Sequence, residues 1–172
     1  PYADSGLLYV SSGYVNDKHR PLYAIRPGAS GDISLGPDQT SNQFIAWCQP
    51  KPAPYNPTTL VYDGRLYVLY DRGMIGCFRA RTGEPLYERQ RLPRGVYFTA
   101  SPWAYHGKVF CLNEDGMTFV LRAGDKYELL HTNELADGDM CLATPAIAGN
   151  RLLIRTSQRV YCVRRSDTSP TR

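Results

Sequence analysis

Short apolar runs separated by turn residues make up most of the hydrophobic pattern of this chain. GRLYVLYDRGMIGCF begins at Gly64 and GKVFCLNEDGMTFVL begins at Gly107, and each has two apolar runs around a polar turn that ends in Gly-Met. The runs are rich in Val, Ile, Leu, Tyr and Phe and are bounded by pairs such as Asp-Gly and His-Gly, which is typical of strands joined by tight turns. No helical periodicity persists beyond two turns, so we predict almost no helix.

The pattern repeats at a fixed interval. The residue before the central apolar run is Gly64, then Gly107, then Asn150, which gives a period of 43 residues. A fourth copy begins at Pro1, and its unit is 15 residues longer than this period. A period of about 40–50 residues with four strands per unit is typical of a β-propeller blade. Such blades pack face to face, because one blade alone leaves its apolar faces uncovered.

We therefore predict an all-β fold, a β-propeller built from four-stranded antiparallel blades, with about four blades in this chain. The predicted units are 1–58, 59–101, 102–144 and 145–166, followed by a polar C-terminal tail at 167–172. Strands are predicted near 7–11, 66–70, 74–79, 109–113, 117–122, 152–156 and 160–164, with fourth strands at 85–89 and 127–130. The chain starts at a first strand and ends after a third, so we expect it to be the C-terminal portion of a ring of about seven or eight blades.

The segment CFRARTGEPLY, residues 77–87, resembles the PQQ-like propeller repeat, whose pattern is Ala-x-Asp-x-x-Thr-Gly-x-x-x-Trp. Thr82 and Gly83 match this pattern, while Cys77 takes the Ala position and Tyr87 takes the Trp position. The repeat occurs in quinoprotein dehydrogenases and in BamB-like scaffolds of the bacterial cell envelope, and the resemblance covers most of the chain. It implies a propeller fold and a location in the cell envelope or periplasm.

The chain departs from the family pattern at two positions. The tryptophan that docks neighbouring blades is expected to be absent, since Trp47 and Trp103 stand elsewhere in the sequence. The Asp position at the end of the third strand holds arginine in every unit: Arg26, Arg79, Arg122 and Arg164. Two interpretations stay open, namely that these guanidinium groups brace the next blade or that they are recurring exposed residues at the rim. The other structural repeat positions are Gly64, Gly107, Thr82 and Gly83.

The extra residues of the first unit fall in two insertions, 12–21 and 41–57. The second insertion contains four prolines together with Phe44, Trp47 and Tyr55, which we expect to be exposed. Prolines stiffen a loop and aromatic side chains are good contact anchors, so these three residues are candidate binding residues. The alternative is that the loop folds over the blade edge and covers apolar surface.

Composition and charge exclude several classes of function. The net charge is +4 and the 20 Lys and Arg residues are scattered, so we expect no nucleic-acid binding. No apolar run reaches about 18 residues, so we predict no membrane span, and no signal peptide is visible. The five cysteines form no CxxC pair, which gives no support for zinc, and we expect reduced structural thiols: Cys48, Cys77, Cys111, Cys141 and Cys162.

The sequence contains no recognisable catalytic or cofactor motif. The family's quinoprotein dehydrogenases bind pyrroloquinoline quinone (PQQ) through calcium and often use adjacent cysteines, and this chain has neither a Cys-Cys pair nor a carboxylate cluster at ligand spacing. The three histidines are isolated, and His106 holds a turn position. We therefore expect no catalytic, metal or cofactor site in this chain.

The predicted function is a non-enzymatic scaffold for protein–protein interaction in the bacterial cell envelope, with a protein partner, the remaining blades or a second copy of the chain bound to it. The alternative is the blade-forming part of a PQQ-dependent quinoprotein dehydrogenase whose cofactor site, with calcium, lies outside this chain.

Overall fold

The computed structural model describes residues 1–14, 16–94, 96–135 and 138–164. The predicted tail at 167–172 and the last two residues of the fourth predicted unit lie outside these described residues. The strands of the described part are short and follow one another through turns and loops. They are β1 Tyr2–Asp4, β2 Leu7–Ser11, β3 Leu22–Ile25, β4 Ile45–Gln49, β5 Leu60–Tyr62, β6 Arg65–Tyr70, β7 Met74–Arg79, β8 Pro85–Arg91, β9 Trp103–Tyr105, β10 Lys108–Leu112, β11 Met117–Arg122, β12 Leu129–Glu134, β13 Ala146–Ala148, β14 Arg151–Arg155 and β15 Val160–Arg164.

These strands form four antiparallel meanders in chain order. The first sheet is β1–β4, the second β5–β8, the third β9–β12, and the fourth, in the described residues, β13–β15. The described residues contain no helix, as predicted, and hence none with the length and apolarity that a membrane-spanning helix needs. The architecture is therefore the predicted all-β series of propeller blades. The unit boundaries, which lie in the connections between sheets, stay predictions.

The seven strands predicted at the second and third positions of the units are confirmed to within one residue, whereas the fourth strands differ more from the prediction. In the first sheet the fourth strand is β4, inside the segment that the sequence assigned to an insertion. In the third sheet the fourth strand starts at Leu129 and not at residue 127. The turn between β11 and β12 is therefore longer than predicted. It is closed by a hydrogen bond from the Arg122 N–H to the Glu128 carbonyl at 3.0 Å.

The sheets pack face to face, and alternate residues of one strand contact different neighbours. On β6, Leu66 and Val68 pack against the first sheet, whereas Tyr67 and Leu69 pack against the third sheet. All four side chains are fully buried. This explains why the run GRLYVLY is almost continuously apolar, since a strand covered on both faces has no polar side.

Hydroxyl side chains link the sheets at the repeat interval. The Thr58 N–H donates to Ser101 Oγ at 2.8 Å, and the Ser101 N–H donates to Thr144 Oγ1 at 2.9 Å. Each bond joins residues that are 43 positions apart. The hydroxyl residue before the first strand of a unit therefore accepts a backbone hydrogen bond from the preceding unit and keeps successive sheets in register.

Candidate interaction surface

The two insertions of the first unit pack against each other. The Arg20 N–H donates to the Pro50 carbonyl at 3.2 Å, and the Ala53 N–H donates to the Arg20 carbonyl at 2.9 Å. Ala53 is fully buried between them. We call this paired surface the insertion platform, and it comprises residues 12–14, 16–21 and 50–57. Backbone hydrogen bonds fix its two halves relative to each other, so it is an ordered surface beside the first sheet.

An exposed pair of tyrosines lies on the insertion platform. The rings of Tyr14 and Tyr55 meet edge to face with their centroids 5.3 Å apart. Their exposed fractions are 56% and 41%. The backbones approach closely here, because a Cβ on Gly13 would lie 3.2 Å from the carbonyl oxygen of Pro54. Tyr55 was a candidate from the sequence; Tyr14 was not, although it is the aromatic residue of the other insertion.

The expectation that Trp47 is exposed is wrong. Trp47 lies in β4 and is 6% exposed, and its Nε1 donates to the Ala80 carbonyl at 2.9 Å. A Cβ on Gly83 would lie 2.6 Å from the indole ring. The indole of the first sheet is therefore pressed onto the Thr-Gly turn of the second sheet. This burial leaves little of Trp47 for a binding partner.

Trp47 also takes the docking position that we expected to be empty. Within the first sheet Trp47 pairs with Ala24, and within the second sheet Tyr87 pairs with Cys77. Both pairings join the Ala position of the repeat to its Trp position. The prediction that the chain has no docking tryptophan is therefore wrong for the first unit, where the insertion hides the spacing.

Phe44 and Tyr55 do not converge. Phe44 is half-buried and its N–H donates to Asn42 Oδ1 at 2.8 Å, in a turn that leads into β4. The insertion platform follows the other end of β4, and a strand of this length spans about 16 Å. Phe44 is therefore not part of the tyrosine pair, and its role in binding stays a prediction.

Most of the recurring arginines bind acceptors of their own sheet. Arg26 donates to the Asn42 carbonyl at 2.7 Å, and Arg122 donates to Glu128 at 2.6 Å. Arg79 pairs with Glu84 at 3.1 Å and also reaches the third sheet, where Asp125 lies 3.5 Å away. Arg164 is exposed, and its side chain makes no hydrogen bond or ion pair within the part of the chain that the structure describes.

Asp125 is one of the acceptors that link the second and third sheets. Arg65 donates to it at 2.7 Å, and Arg79 approaches it from the strand opposite. The hydrogen bond from Arg65 lowers the pKa of the Asp125 carboxyl. A cross-strand pair of arginines thus holds one carboxylate of the next sheet, and we call this arrangement a carboxylate clamp.

The glycine positions of the repeat are turn positions. Asp63 and Gly64 both have positive φ, as do His106 and Gly107. Two consecutive residues with positive φ are typical of the type I′ hairpin turn. His106 is thus a turn residue, as predicted.

The cysteines are free thiols, and three of them, Cys77, Cys111 and Cys141, are buried in the core. None of the five forms a disulfide. Cys77 and Cys111 are fully buried, and burial raises the pKa of the Cys77 thiol to about 12. Burial also raises the pKa of Cys111. Both thiols therefore stay protonated at neutral pH, whereas Cys162 is exposed.

We expect alkylation to separate these thiols. In the native protein at pH 8, iodoacetamide should label Cys162 while Cys77 and Cys111 stay unlabelled, because the thiolate is the reactive form and both buried thiols keep their protons. Mass spectrometry of the labelled peptides measures this, with a sample unfolded in guanidinium as the control. Native labelling of Cys111 at the rate of Cys162 would contradict the packing between the second and third sheets.

The described residues do not fit a calcium-held quinone. Within the described ranges, no three His, Cys, Asp or Glu side chains come close enough to hold a metal ion. Calcium prefers six to eight oxygen ligands, mostly carboxylates and carbonyls. We therefore derive no chemistry through PQQ from this chain.

Comparison with solved structures supports the propeller fold. The structure of BamB from Moraxella catarrhalis is similar at a TM-score of 0.62 and 14% identity, over 88% of this chain and 40% of that chain. A europium-containing methanol dehydrogenase is similar at a TM-score of 0.51 and 15% identity, over 80% of this chain and 23% of that one. This chain thus spans less than half the length of either protein. No family model and no curated protein matches it. These likenesses show a BamB-like, quinoprotein-type propeller fold, and at such identities they show the fold alone.

Proposed function

We propose that this chain is part of a non-enzymatic β-propeller scaffold that binds a protein partner in the bacterial cell envelope. The observation that carries the proposal is the exposed Tyr14–Tyr55 pair on the insertion platform. Tyrosine supplies a large amphipathic contact surface with few rotatable bonds, so it is enriched at protein interfaces. The proposed binding surface is therefore the platform and not the inter-sheet faces.

The rigidity of the platform supports this function. Each half is tied to the other by backbone hydrogen bonds at Arg20, and Ala53 is buried beneath them. A surface that is already ordered loses little conformational entropy when a partner docks. The envelope location is supported by the resemblance of the repeat and by the structural similarity to BamB.

The alternative function is the blade-forming part of a PQQ-dependent quinoprotein dehydrogenase. The structural similarity to a methanol dehydrogenase favours it. In that case the residues that hold PQQ and calcium lie outside this chain. The complete native polypeptide would then oxidise an alcohol with a dye as electron acceptor once PQQ and calcium are added.

The tyrosine pair gives a direct test of the scaffold. Proteins captured by the chain from an envelope fraction are identified and purified, and their dissociation constants are measured. The double variant Tyr14→Ser with Tyr55→Ser should weaken binding of the true partner at least tenfold, or about 1.4 kcal/mol, because two interface aromatics are lost.

Tyr97→Ser is the matched control, since Tyr97 is also 56% exposed but lies in the loop before the third sheet. It should leave binding within twofold. The proposal would be overturned if Tyr97→Ser weakened partner binding as much as the Tyr14→Ser, Tyr55→Ser double variant does. It would also be overturned if no partner were found and the complete polypeptide oxidised an alcohol in a PQQ-dependent reaction.

A further inference from the structure

The carboxylate clamp between the second and third sheets has a counterpart between the first and second sheets that lacks the carboxylate. In the clamp, Asp125 of the third sheet follows the third-strand arginine, Arg122, by three residues. The residue that follows Arg79 of the second sheet by three is Thr82, so Thr82 takes the place of Asp125. Because Thr82 carries no charge, the second sheet offers no carboxylate to the first sheet at this position.

Arg26 of the first sheet binds backbone carbonyls at the place where Arg79 of the second sheet reaches Asp125. Its Nη1 donates to the Asn42 carbonyl at 2.7 Å and lies 3.4 Å from the Gln43 carbonyl. Within the described ranges Arg26 forms no ion pair with a carboxylate. A guanidinium has five N–H donors, so Arg26 keeps donors for a further acceptor.

Arg81 approaches the same place from the second sheet. It lies one residue before Thr82, where the third sheet has Gly124. Its side chain makes no hydrogen bond or ion pair in the part of the chain that the structure describes. Burial and the charge of Asp4 raise the pKa of the Tyr9 hydroxyl, whereas the charge of Arg81 lowers it. Arg81 therefore lies beside the contact that Tyr9 makes between the first and second sheets.

Arg26 and Arg81 line one pocket, with a volume of about 430 Å³, which we call the arginine pocket. Its other lining residues, Leu7 among them, carry no charge. Asp4 does not line it, and its carboxylate accepts a hydrogen bond from the Ser5 hydroxyl at 2.5 Å. The volume lies within the range of about 300–1,000 Å³ that is typical of ligand sites. The pocket thus has two positive charges and no negative side chain in its wall.

We propose that the arginine pocket binds the carboxylate group of a ligand between Arg26 and Arg81. The clamp is the precedent, since Asp125 accepts a hydrogen bond from Arg65 at 2.7 Å and lies 3.5 Å from Arg79. Guanidinium groups bind carboxylates through charge-assisted hydrogen bonds. The carboxylate belongs to a free organic acid or to an acidic side chain of a peptide.

The arginine pocket is separate from the insertion platform. It lies where β2 begins and β3 ends, whereas the platform lies where β2 ends and β3 begins. Binding of a carboxylate therefore does not require the scaffold function. The Tyr14→Ser, Tyr55→Ser double variant should bind the carboxylate like wild type, so failure of the scaffold proposal leaves this one standing.

The test titrates the full chain with aspartate capped at both ends and, as the control, with capped asparagine. Binding is followed through the arginine Nε–H signals in nuclear magnetic resonance spectra. Capped aspartate should shift the signals of Arg26 and Arg81 and bind at least tenfold more tightly than capped asparagine. Binding should also weaken as salt rises, because both guanidinium groups are exposed. Equal binding of the two probes would overturn the proposal.

Two further probes identify the source of the carboxylate. Tighter binding of succinate than of capped aspartate would support a free organic acid, and the reverse order would support an acidic side chain of a peptide. Inorganic phosphate binding more tightly than both carboxylates would overturn the assignment of a carboxylate ligand.

Arginine variants localise the binding. Arg26→Ala and Arg81→Ala should each weaken binding of capped aspartate at least tenfold and retain the wild-type circular dichroism spectrum. Arg81→Ala removes no side-chain hydrogen bond of the described chain, so its effect reports on the ligand. Arg72→Ala is the matched control, because Arg72 is an exposed arginine of the second sheet that does not line the pocket. Equal weakening by Arg72→Ala would show unspecific charge attraction and overturn the proposal.

Thr82→Asp restores a carboxylate to the chain at the position of Asp125. The new carboxylate should occupy the arginine pocket, so it should weaken binding of capped aspartate at least tenfold and raise the urea midpoint of unfolding. Thr82→Asn has nearly the same size without the charge and should leave binding within twofold of wild type. Unchanged binding by Thr82→Asp would contradict the equivalence of this pocket with the clamp and overturn the proposal.

Discussion

Replacing Trp47 with alanine is expected to lower the free energy of unfolding by about 3–5 kcal/mol. The indole is nearly buried between the first and second sheets, with Tyr9 beside it at a centroid distance of 6.1 Å. Its removal leaves a cavity against Gly83 and deletes the hydrogen bond to the Ala80 carbonyl. That carbonyl keeps the bond from Tyr9, so most of the loss comes from packing. Chemical denaturation followed by circular dichroism measures the change.

Two controls separate the packing of Trp47 from its hydrogen bond. Trp47→Phe keeps an aromatic ring and loses the N–H donor. It should lower the free energy of unfolding by less than Trp47→Ala does. Tyr55→Ala removes an exposed aromatic residue eight positions later and should cost less than about 1 kcal/mol, since surface substitutions have small effects. A loss below 1 kcal/mol for Trp47→Ala would contradict the docking of the indole on the second sheet.

The sequence predicted the strands because their pattern is local and repeats. Each unit has apolar runs at the same offsets from Gly64, Gly107 or Asn150, so strand type and spacing follow from composition and turn residues. The fourth strands were less predictable. β12 is partly polar and mostly exposed, so it lacks a continuous apolar run. β4 contains the apolar residues IAWC, but it follows a long connection, so its place in the unit could not be assigned from spacing.

The role of Trp47 could not be predicted from spacing. Tyr87 lies eight residues after Arg79, as the family pattern requires, whereas Trp47 lies 21 residues after Arg26. The register of β4 with β3 nevertheless places Trp47 opposite Ala24, just as Tyr87 lies opposite Cys77 in the second sheet. This is possible because the additional residues loop out between β3 and β4. Hydrogen-bonded pairing, which is a tertiary property, decides which residue reaches the docking position.

The candidate site includes one residue that the sequence indicated, Tyr55, and one that it did not, Tyr14, and its role in binding stays a prediction. Prolines and aromatic residues indicated the second insertion, 41–57, as a candidate binding loop. The pairing of Tyr14 with Tyr55 depends on contact between two segments that are far apart in sequence, and no local pattern encodes it. The acceptors of the arginine side chains could not be predicted from a local pattern either, since Asp125 lies 60 residues from Arg65.

Replacing Gly83 with alanine is expected to lower the free energy of unfolding by about 2–4 kcal/mol. Gly83 has φ of +73°, a conformation that costs an alanine about 1–2 kcal/mol. The new Cβ would also lie 2.6 Å from Cδ2 and 2.7 Å from Cε3 of Trp47. The indole is held by its hydrogen bond to Ala80, so relief of this contact requires the first sheet to move. Denaturation in urea measures the loss.

Gly64→Ala is the matched control for the steric part of this effect. Gly64 has nearly the same φ, +72°, and a Cβ there would meet nothing within 4 Å. Gly64→Ala should therefore lower the free energy of unfolding only by the cost of placing an alanine at positive φ, about 1–2 kcal/mol. In a Trp47→Ala background, Gly83→Ala should cost no more than Gly64→Ala, because the indole that opposes the Cβ is gone and the two effects are coupled. Equal costs for the two glycine variants in the wild-type background would show that the indole does not rest on the Thr-Gly turn.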